Sequence, residues 1–86
     1  MSSDQVTINI QKSDALVLFE FLSRELMGDE TCDRLKQVTE DDSELGALSA
    51  LLGCFERQLV EPFSKDYAKL LDDARKDCKE RYGSFE

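Results

Sequence analysis

Apolar and polar residues alternate over a short stretch near the start of the chain. Residues 6–11 read VTINIQ, with a β-branched aliphatic residue at every second position. A period of two with β-branched residues is typical of a half-buried β-strand. The pattern therefore predicts an N-terminal strand over Val6–Ile10, and a strand needs partners for its backbone groups.

The apolar period then changes to that of a helix. A helix is predicted over about residues 14–27, with Ser13 as its N-cap and Gly28 as its end. Its expected core stripe consists of Ala15, Leu18, Phe19, Leu22 and Leu26. Val17 and Phe21 widen this stripe by roughly 100°, so the helix must be nearly surrounded. Either it is the central element of the domain, or part of it packs against a second subunit. Val17 and Phe21 are therefore the candidate residues for self-association.

Residues 28–44 are the most acidic part of the chain. Seven carboxylates against two basic residues leave a local charge of −5, more than half of the net charge of −8. Within this stretch, Leu35–Val38 is a candidate for a short second strand beside the first. Its pairing within the chain and its pairing across a dimer are both open.

A second helix follows the acidic stretch. It is predicted to begin after Asp42 or Ser43, either of which can cap its N-terminus. Its apolar stripe has helical spacing and consists of Leu45, Leu48, Leu52, Phe55 and Leu59. Glu61-Pro62 ends this helix, because proline lacks a backbone donor and disfavours the helical conformation in the residue before it.

A third helix is predicted from about Ser64 to Tyr82, with Gly83 as its stop. Opposite charges four residues apart cover one face, in the pairs Lys69/Asp73, Asp72/Lys76 and Asp77/Arg81. The short turn before this helix predicts an antiparallel hairpin of the second and third helices. Together the elements predict a mostly helical α+β domain: a strand, a helix, a candidate second strand and a two-helix hairpin.

The size of the chain limits it to a single domain, residues 1–86, with a small core. Domains of this size often gain stability from disulfides, a metal ion or oligomerisation. Cys32, Cys54 and Cys78 form no CxxC pair, and the chain has no histidine. We therefore expect reduced, structural cysteines and neither a metal nor another cofactor. Homodimerisation remains as a way to enlarge the core.

The charge balance narrows the choice of partners. Nineteen acidic against eleven basic residues argue against binding to nucleic acid or to an anionic membrane. A basic protein surface is the natural complement. The first five residues carry no basic cluster, so no signal peptide is expected. The longest apolar run, Ala15–Phe19, is far shorter than the ~20 residues of a membrane span. These features predict a cytoplasmic protein.

Patterns that could support catalysis are few. The absence of histidine excludes Cys-His and Ser-His-Asp centres, and there is no glycine-rich phosphate loop. Residues 40–44, EDDSE, lack the ligand spacing of a calcium loop. Carboxylates together with Tyr67 or Tyr82 could serve a small carboxylate-based enzyme, but no spacing marks such a site. We therefore expect no enzymatic activity.

The stretch Leu59–Tyr67, LVEPFSKDY, is the most individual one in the chain. One interpretation is a binding corner that presents Phe63 and Tyr67 to a partner. The other is a turn held to the core by a hydrophobic staple and a buried tyrosine, and this second interpretation is favoured. With the apolar run of residues 15–24, the stretch resembles small, uncharacterised bacterial proteins that have an apolar first helix and an LVEPFS-x-DY corner. The resemblance implies a bacterial origin and a shared fold, and it implies no activity.

These observations favour a non-catalytic, acidic protein-binding module. Immunity proteins and antitoxins, which neutralise a partner protein, share this size, acidity and lack of catalytic residues. The comparison is an analogy with a class of proteins and does not rest on a shared motif. The expected contact residues for a basic partner are Asp29, Glu30, Asp33, Glu40, Asp41 and Asp42. Their carboxylates would attract the partner and block its surface. The alternative is a homodimeric interaction or scaffold protein with no role towards nucleic acid.

Overall fold

The structure, a computed structural model, describes residues 4–83. Four α-helices and one short 3-10 helix make up this part of the chain. They are α1 (Lys12–Met27), α2 (Asp29–Val38), α3 (Asp42–Gln58), the 3-10 helix (Glu61–Phe63) and α4 (Tyr67–Tyr82). Residues 4–83 contain no β-strand, so the predicted α+β class is wrong and the described fold is all-helical. Residues 1–3, on which the expected absence of a signal peptide partly rests, lie outside the described residues.

The predicted N-terminal strand is wrong because the described chain offers Val6–Ile10 no second strand to pair with. Residues 4–11 precede α1 without forming a ladder, and no backbone–backbone hydrogen bond of the described chain involves Val6–Ile10. The side chains of Val6 and Ile8 are 84% and 70% exposed. Alternating β-branched residues therefore mark a stretch that is not helical, but a sheet also needs a second strand, which residues 4–83 do not supply.

The predicted second strand, Leu35–Val38, is wrong because these residues form the last turn of α2. Asp29 and Glu30 lie in the first turn of this helix and Lys36 in its last turn, which is the charge order that a helix dipole favours. Four residues of apolar and polar character are also too short to distinguish a strand from a helical turn.

Helix α1 is the central element of the described chain, because α2, α3 and α4 all pack against it. It contributes Ala15, Leu16 and Leu22 to the core, and Leu22 is only 2% exposed. The other buried residues of this core are Leu52, Phe55, Leu59 and Ala74. Leu16 belongs to the core although the predicted stripe left it out, whereas Leu18 is 39% exposed. The apolar first helix is thus covered largely by the chain's own helices.

The predicted hairpin of the second and third helices is also wrong. Helices α3 and α4 make their main contacts with α1, and α4 also packs against the 3-10 helix. The connection over residues 59–66 includes the 3-10 helix, which separates the two helices instead of joining them by a tight turn. Both helices bury an apolar stripe against α1, so they do not need one another's surface.

The helix ends agree with the sequence in part. Gly83 ends α4 with a φ of 77°, a left-handed conformation that suits glycine, as predicted. Ser13, the expected N-cap, lies inside α1, whose cap position is Gln11 and has no side-chain hydrogen bond. The cap of α3 is Asp41, one residue before the two candidates, and its carboxylate accepts a hydrogen bond from the Ser43 amide at 2.7 Å.

Candidate functional site

The six acidic residues predicted to bind a partner lie on α2, on its connection to α3 and at the first residue of α3. We call this stretch, residues 29–42, the acidic segment. All six side chains are exposed: Asp29, Glu30, Asp33, Glu40, Asp41 and Asp42. Helix α2, which carries three of them, has no buried residue. The fold therefore brings these carboxylates to the surface and does not use them in the core.

The basic residues within the acidic segment do little to neutralise it. Lys36 pairs with Asp33 at 3.7 Å, one helical turn away. The guanidinium of Arg34 lies 3.7 Å from a carboxylate oxygen of Glu25 on α1. In the described chain no lysine or arginine lies within 4.0 Å of the other five carboxylates of the segment. The charge of these five side chains is therefore open to solvent or to a partner.

The junction of α1 and α2 fixes where the acidic segment begins. Gly28 ends α1 and precedes α2 directly. The Thr31 hydroxyl oxygen lies 2.9 Å from the carbonyl oxygen of Glu25 and 3.1 Å from those of Arg24 and Gly28. Its single proton is thus shared among carbonyl groups at the junction of the two helices, and of these the Gly28 carbonyl also accepts a hydrogen bond from the Cys32 amide at 2.9 Å. A Cβ atom at residue 28 would lie 2.6 Å from this hydroxyl, which explains the need for glycine.

Two carboxylates near the ends of the acidic segment have structural tasks. Hydrogen bonding from Ser43 lowers the pKa of Asp41, which keeps the cap of α3 ionised. The neighbouring Arg24, with a smaller contribution from Arg34, lowers the pKa of Glu25. Arg24 donates to the Glu25 carboxylate at 2.9 Å, next to the start of α2. Asp41 consequently serves both the fold and the acidic surface.

A second polar cluster, which the sequence did not indicate, joins the ends of α1 and α4. Asp14 accepts hydrogen bonds from Arg81 at 2.9 Å, from the Tyr82 hydroxyl at 2.8 Å and from the Cys78 thiol at 3.2 Å. We call these four side chains the Asp14 cluster. Hydrogen bonds from Arg81, then from Tyr82 and Cys78, hold the pKa of Asp14 at about 2. Only the separate i, i+4 pair of Arg81 with Asp77 was visible from spacing, because the contacts of Asp14 span 64 or more residues.

The Asp14 cluster borders a shallow cleft. The cleft has a volume of about 390 Å³ and is lined by Asn9, Ile10, Gln11, Asp14, Arg81 and Tyr82. The donors of Arg81 are already directed at Asp14 and Asp77, and the Tyr82 hydroxyl is directed at Asp14. Because these groups hydrogen-bond to one another, they link α1 to α4 and leave none of their own acidic or basic atoms free for chemistry.

The LVEPFSKDY corner combines both interpretations of that stretch. Tyr67 is half-buried and donates a hydrogen bond of 3.0 Å to Glu20 on α1, which fits the tyrosine that ties the turn to the core. Burial, together with the nearby Glu20 carboxylate, raises the pKa of Tyr67 to about 12. Phe63 is instead 86% exposed, as a binding corner would have it. Glu61 accepts a hydrogen bond from Lys12 at 2.7 Å and so ties the corner to the start of α1.

The three cysteines are all free thiols of intermediate burial. Burial, and then the hydrogen bond to Asp14, raises the pKa of Cys78, so its thiol stays protonated at neutral pH. No group of three or more cysteine and carboxylate side chains within residues 4–83 is arranged to hold a metal ion. The described residues therefore contain no candidate metal site.

The two residues predicted for self-association have different surroundings. Val17 is half-buried and packs against the core of its own chain. Phe21 is 41% exposed, and the Arg24 guanidinium lies 5.6 Å from the centre of its ring. Of the two, Phe21 is the side chain that a second molecule could reach, and its role in self-association stays a prediction.

An apolar groove runs between the N-terminal segment and α3. It has a volume of about 550 Å³ and includes Val6, Ile8, Ile10, Leu51, Phe55 and Leu59 in its lining. The groove is bordered on one side by an exposed, extended backbone and on the other by the helical core. This surface and the acidic segment are two extended regions of the described chain that could meet a partner.

Comparisons with known proteins add no assignment. No protein-family model matches this chain, and neither the curated proteins nor the solved structures contain a match to it. Within residues 4–83, no helix has the length and apolar character needed to cross a lipid bilayer.

Proposed function

We propose that this protein is a non-catalytic, immunity- or antitoxin-like binding module whose acidic segment docks on a basic surface of a partner protein. The observation that supports it is the state of the carboxylates in the acidic segment. All six are exposed, and five have no cationic side chain within ion-pairing distance in the described chain. An unneutralised cluster of one sign attracts an oppositely charged surface and speeds the encounter.

Three carboxylates of α4 can be compared with those of the acidic segment. Asp72, Asp73 and Asp77 also lie on a polar helix, but each pairs with a lysine or arginine of the same helix at 3.0–3.2 Å. Acidic residues that serve only solubility or helix stability can thus be paired within the chain, as these three are. The unpaired carboxylates of the acidic segment are instead suited to binding a partner protein.

The test uses a charge-reversal variant with a matched control. Asp33→Lys together with Glu40→Lys changes two exposed carboxylates of the acidic segment and spares the Asp41 cap. Glu56→Lys together with Glu80→Lys makes the same change in net charge on exposed positions of α3 and α4. The wild type and both variants, immobilised at equal density, are exposed to the same cell extract, and the retained proteins are identified by mass spectrometry.

We expect a basic protein that is retained by the wild type and by the Glu56/Glu80 variant but is lost with the Asp33/Glu40 variant. Its association rate with the purified Asp33/Glu40 variant should fall by about tenfold or more at low salt and should depend less on ionic strength. If both variants retain the same proteins with the same kinetics, the acidic segment is not the docking surface and the proposal is wrong.

A further inference from the structure

We infer that the apolar groove between the N-terminal segment and α3 binds a fatty acid, with the alkyl chain in the groove and the carboxylate on Arg57. The groove has a volume of about 550 Å³. Sites for small ligands commonly have volumes of about 300–1,000 Å³. The inference uses neither the acidic segment nor a partner protein, so it is independent of the proposed function.

The two walls of the groove are both apolar but differ in exposure. Phe55 and Leu59, on the helical wall, belong to the core and are buried. Val6 and Ile8, on the opposite wall, are 84% and 70% exposed. An alkyl chain between the walls would remove the aliphatic surface of Val6 and Ile8 from water. Burial of that surface favours the binding of an apolar ligand.

The helical wall has the length that an elongated ligand needs. Leu51, Cys54, Phe55 and Gln58 line the groove from positions i, i+3, i+4 and i+7 of α3. Residues with this spacing lie on one face of a helix, and seven residues rise by about 10 Å along its axis. An alkyl chain can therefore follow one continuous helix face on this side of the groove.

The groove is free of the negative charge that dominates the chain. The sequence has 19 acidic and 11 basic residues, but no aspartate or glutamate is among the described residues that line the groove. Lys12 lines it, and the Lys12 ammonium group donates to Glu61 at 2.7 Å. The charge of Lys12 is therefore already balanced, and a different cation must hold an anionic headgroup.

Arg57 supplies this cation at the edge of the groove. Its Nη2 atom lies 3.5 Å from the Sγ atom of Cys54, which lines the groove. Arg57 is exposed, and within residues 4–83 no carboxylate lies within 4.0 Å of its guanidinium group. A guanidinium group can donate two parallel hydrogen bonds to one carboxylate. An apolar groove with an unpaired guanidinium at its edge thus fits an alkyl chain that ends in a carboxylate.

Isothermal titration calorimetry with dodecanoate and dodecyltrimethylammonium, both below their micelle concentrations, tests the ligand class. The two probes have the same alkyl chain and opposite headgroup charges. A protein of net charge −8 attracts the cation even without a specific site. We nevertheless expect one dodecanoate per chain, bound about tenfold or more tightly than the cation. Decanoate should bind about tenfold more weakly than dodecanoate, because it has two fewer methylene groups to bury.

Arg57→Glu tests the headgroup contact, and Arg75→Glu is its matched control. Arg75 is also exposed and has no carboxylate within 4.0 Å in the described chain, so both variants make the same change in net charge. Arg57→Glu should weaken dodecanoate binding by about tenfold or more without weakening the binding of dodecyltrimethylammonium. Arg75→Glu should change dodecanoate binding by about twofold or less, because salt screens a distant charge.

Ile8→Asp tests the wall of the groove, and Val60→Asp is its control. Ile8 is 70% exposed and Val60 is 71% exposed, but only Ile8 lines the groove. Ile8→Asp should abolish saturable binding of dodecanoate, because it places a carboxylate in the groove, whereas Val60→Asp should retain it. Circular dichroism would verify that Ile8→Asp remains helical, as expected for a residue outside the core. The Asp33/Glu40 charge-reversal variant should bind dodecanoate like the wild type, which separates this inference from the proposed function.

Any of four results would overturn the inference. They are no saturable binding of dodecanoate by the wild type, equal or tighter binding of the cation, wild-type affinity in Arg57→Glu, and wild-type affinity in Ile8→Asp. Light scattering on the same samples examines a second copy of the chain as the occupant. A wild-type dimer that binds no dodecanoate and that Ile8→Asp converts to monomers would assign the groove to self-association instead.

Discussion

Helices α2 and α4 are both rich in charged residues and both pack against α1, but they use their polar side chains in different ways. Helix α4 buries Leu71 and Ala74, and its polar groups reach across to α1 through Tyr67, Cys78 and Arg81. Helix α2 has no buried residue, and within residues 4–83 it is held by the Gly28 junction, by the Arg34–Glu25 pair and by packing against α1 and α3.

The difference separates charge that maintains the fold from charge that is available to a partner. On α4, Asp72, Asp73 and Asp77 are paired within the helix, and Asp14 of α1 is held by three donors. On α2, Asp29 and Glu30 have no cationic neighbour in the described chain and contribute chiefly to the helix dipole. Substitutions should therefore affect stability on the α1–α4 side and recognition on the α2 side.

The largest effect is expected in the core beneath α1. Leu22→Ala should lower the free energy of unfolding by about 2–5 kcal/mol, because it leaves a cavity around a side chain that is 2% exposed. Leu35→Ala, on half-buried α2, is the comparison and should cost about 1 kcal/mol or less. Urea denaturation followed by circular dichroism measures both. Equal losses would mean that α2 contributes to the core as much as α1 does.

The Asp14 cluster should make stability dependent on acidic pH. Because the folded-state pKa of Asp14 is about 2 and its ordinary value is 3.8, its ionised form is favoured in the folded protein. This contribution is fully present above the ordinary pKa and is lost as the pH falls towards 2. Asp14→Asn should therefore destabilise the protein at neutral pH, and the difference from the wild type should shrink as the pH falls through this range. Thermal unfolding across this range measures it.

Asp73→Asn is the control for the Asp14 variant. Asp73 pairs with Lys69 of the same helix, at 3.0 Å on the surface. Its substitution should have a much smaller effect on the melting temperature. If the two variants melted alike at neutral pH, the Asp14 cluster would not hold α1 and α4 together.

A smaller effect is expected at the junction of α1 and α2. Gly28→Ala should destabilise the protein by about 1 kcal/mol, because its Cβ would displace the Thr31 hydroxyl from the carbonyl groups that end α1. In a Gly28→Ala, Thr31→Ala double variant the two effects should be less than additive, since either change removes the same contacts. Additive losses in chemical denaturation would show that the two residues act separately.

The smallest effect on stability is expected for the Asp33→Lys, Glu40→Lys variant. Both side chains are exposed, so the free energy of unfolding should change by no more than about 0.5 kcal/mol for each substitution. A larger loss in urea denaturation would show that the acidic segment serves the fold of the single chain. In that case a loss of partner binding by this variant could no longer be assigned to its charge.

The local sequence pattern was sufficient to predict those parts of the fold that depend on residues close together in the chain. The stripe of Leu52, Phe55 and Leu59 is buried as predicted, and the pairs of α4, such as Lys69 with Asp73, are present. The stop at Gly83 is confirmed as well. Each of these features is determined within a few residues by the period of a helix or by the conformational freedom of glycine.

The errors concern features that depend on distant residues. Val6–Ile10 has the alternation of a strand, but a strand exists only where a second one is available. The hairpin failed because the turn length does not show that α1 offers both helices an apolar surface. The Asp14 cluster was missed because its donors are 64–68 residues away, and no local spacing links them. The exposure of the acidic segment follows its composition, but the pairing state of each carboxylate requires the structure.

The order of synthesis gives the contacts between α1 and α4 a further consequence. Helix α1 leaves the ribosome first and α4 last among the four helices, so the apolar surface of α1 remains partly uncovered while α2 and α3 emerge. Asp14 obtains its Cys78, Arg81 and Tyr82 partners only when α4 is complete. A nascent chain that stops before α4 therefore leaves part of an apolar helix uncovered, and exposed apolar surface of this kind makes incomplete chains prone to aggregation.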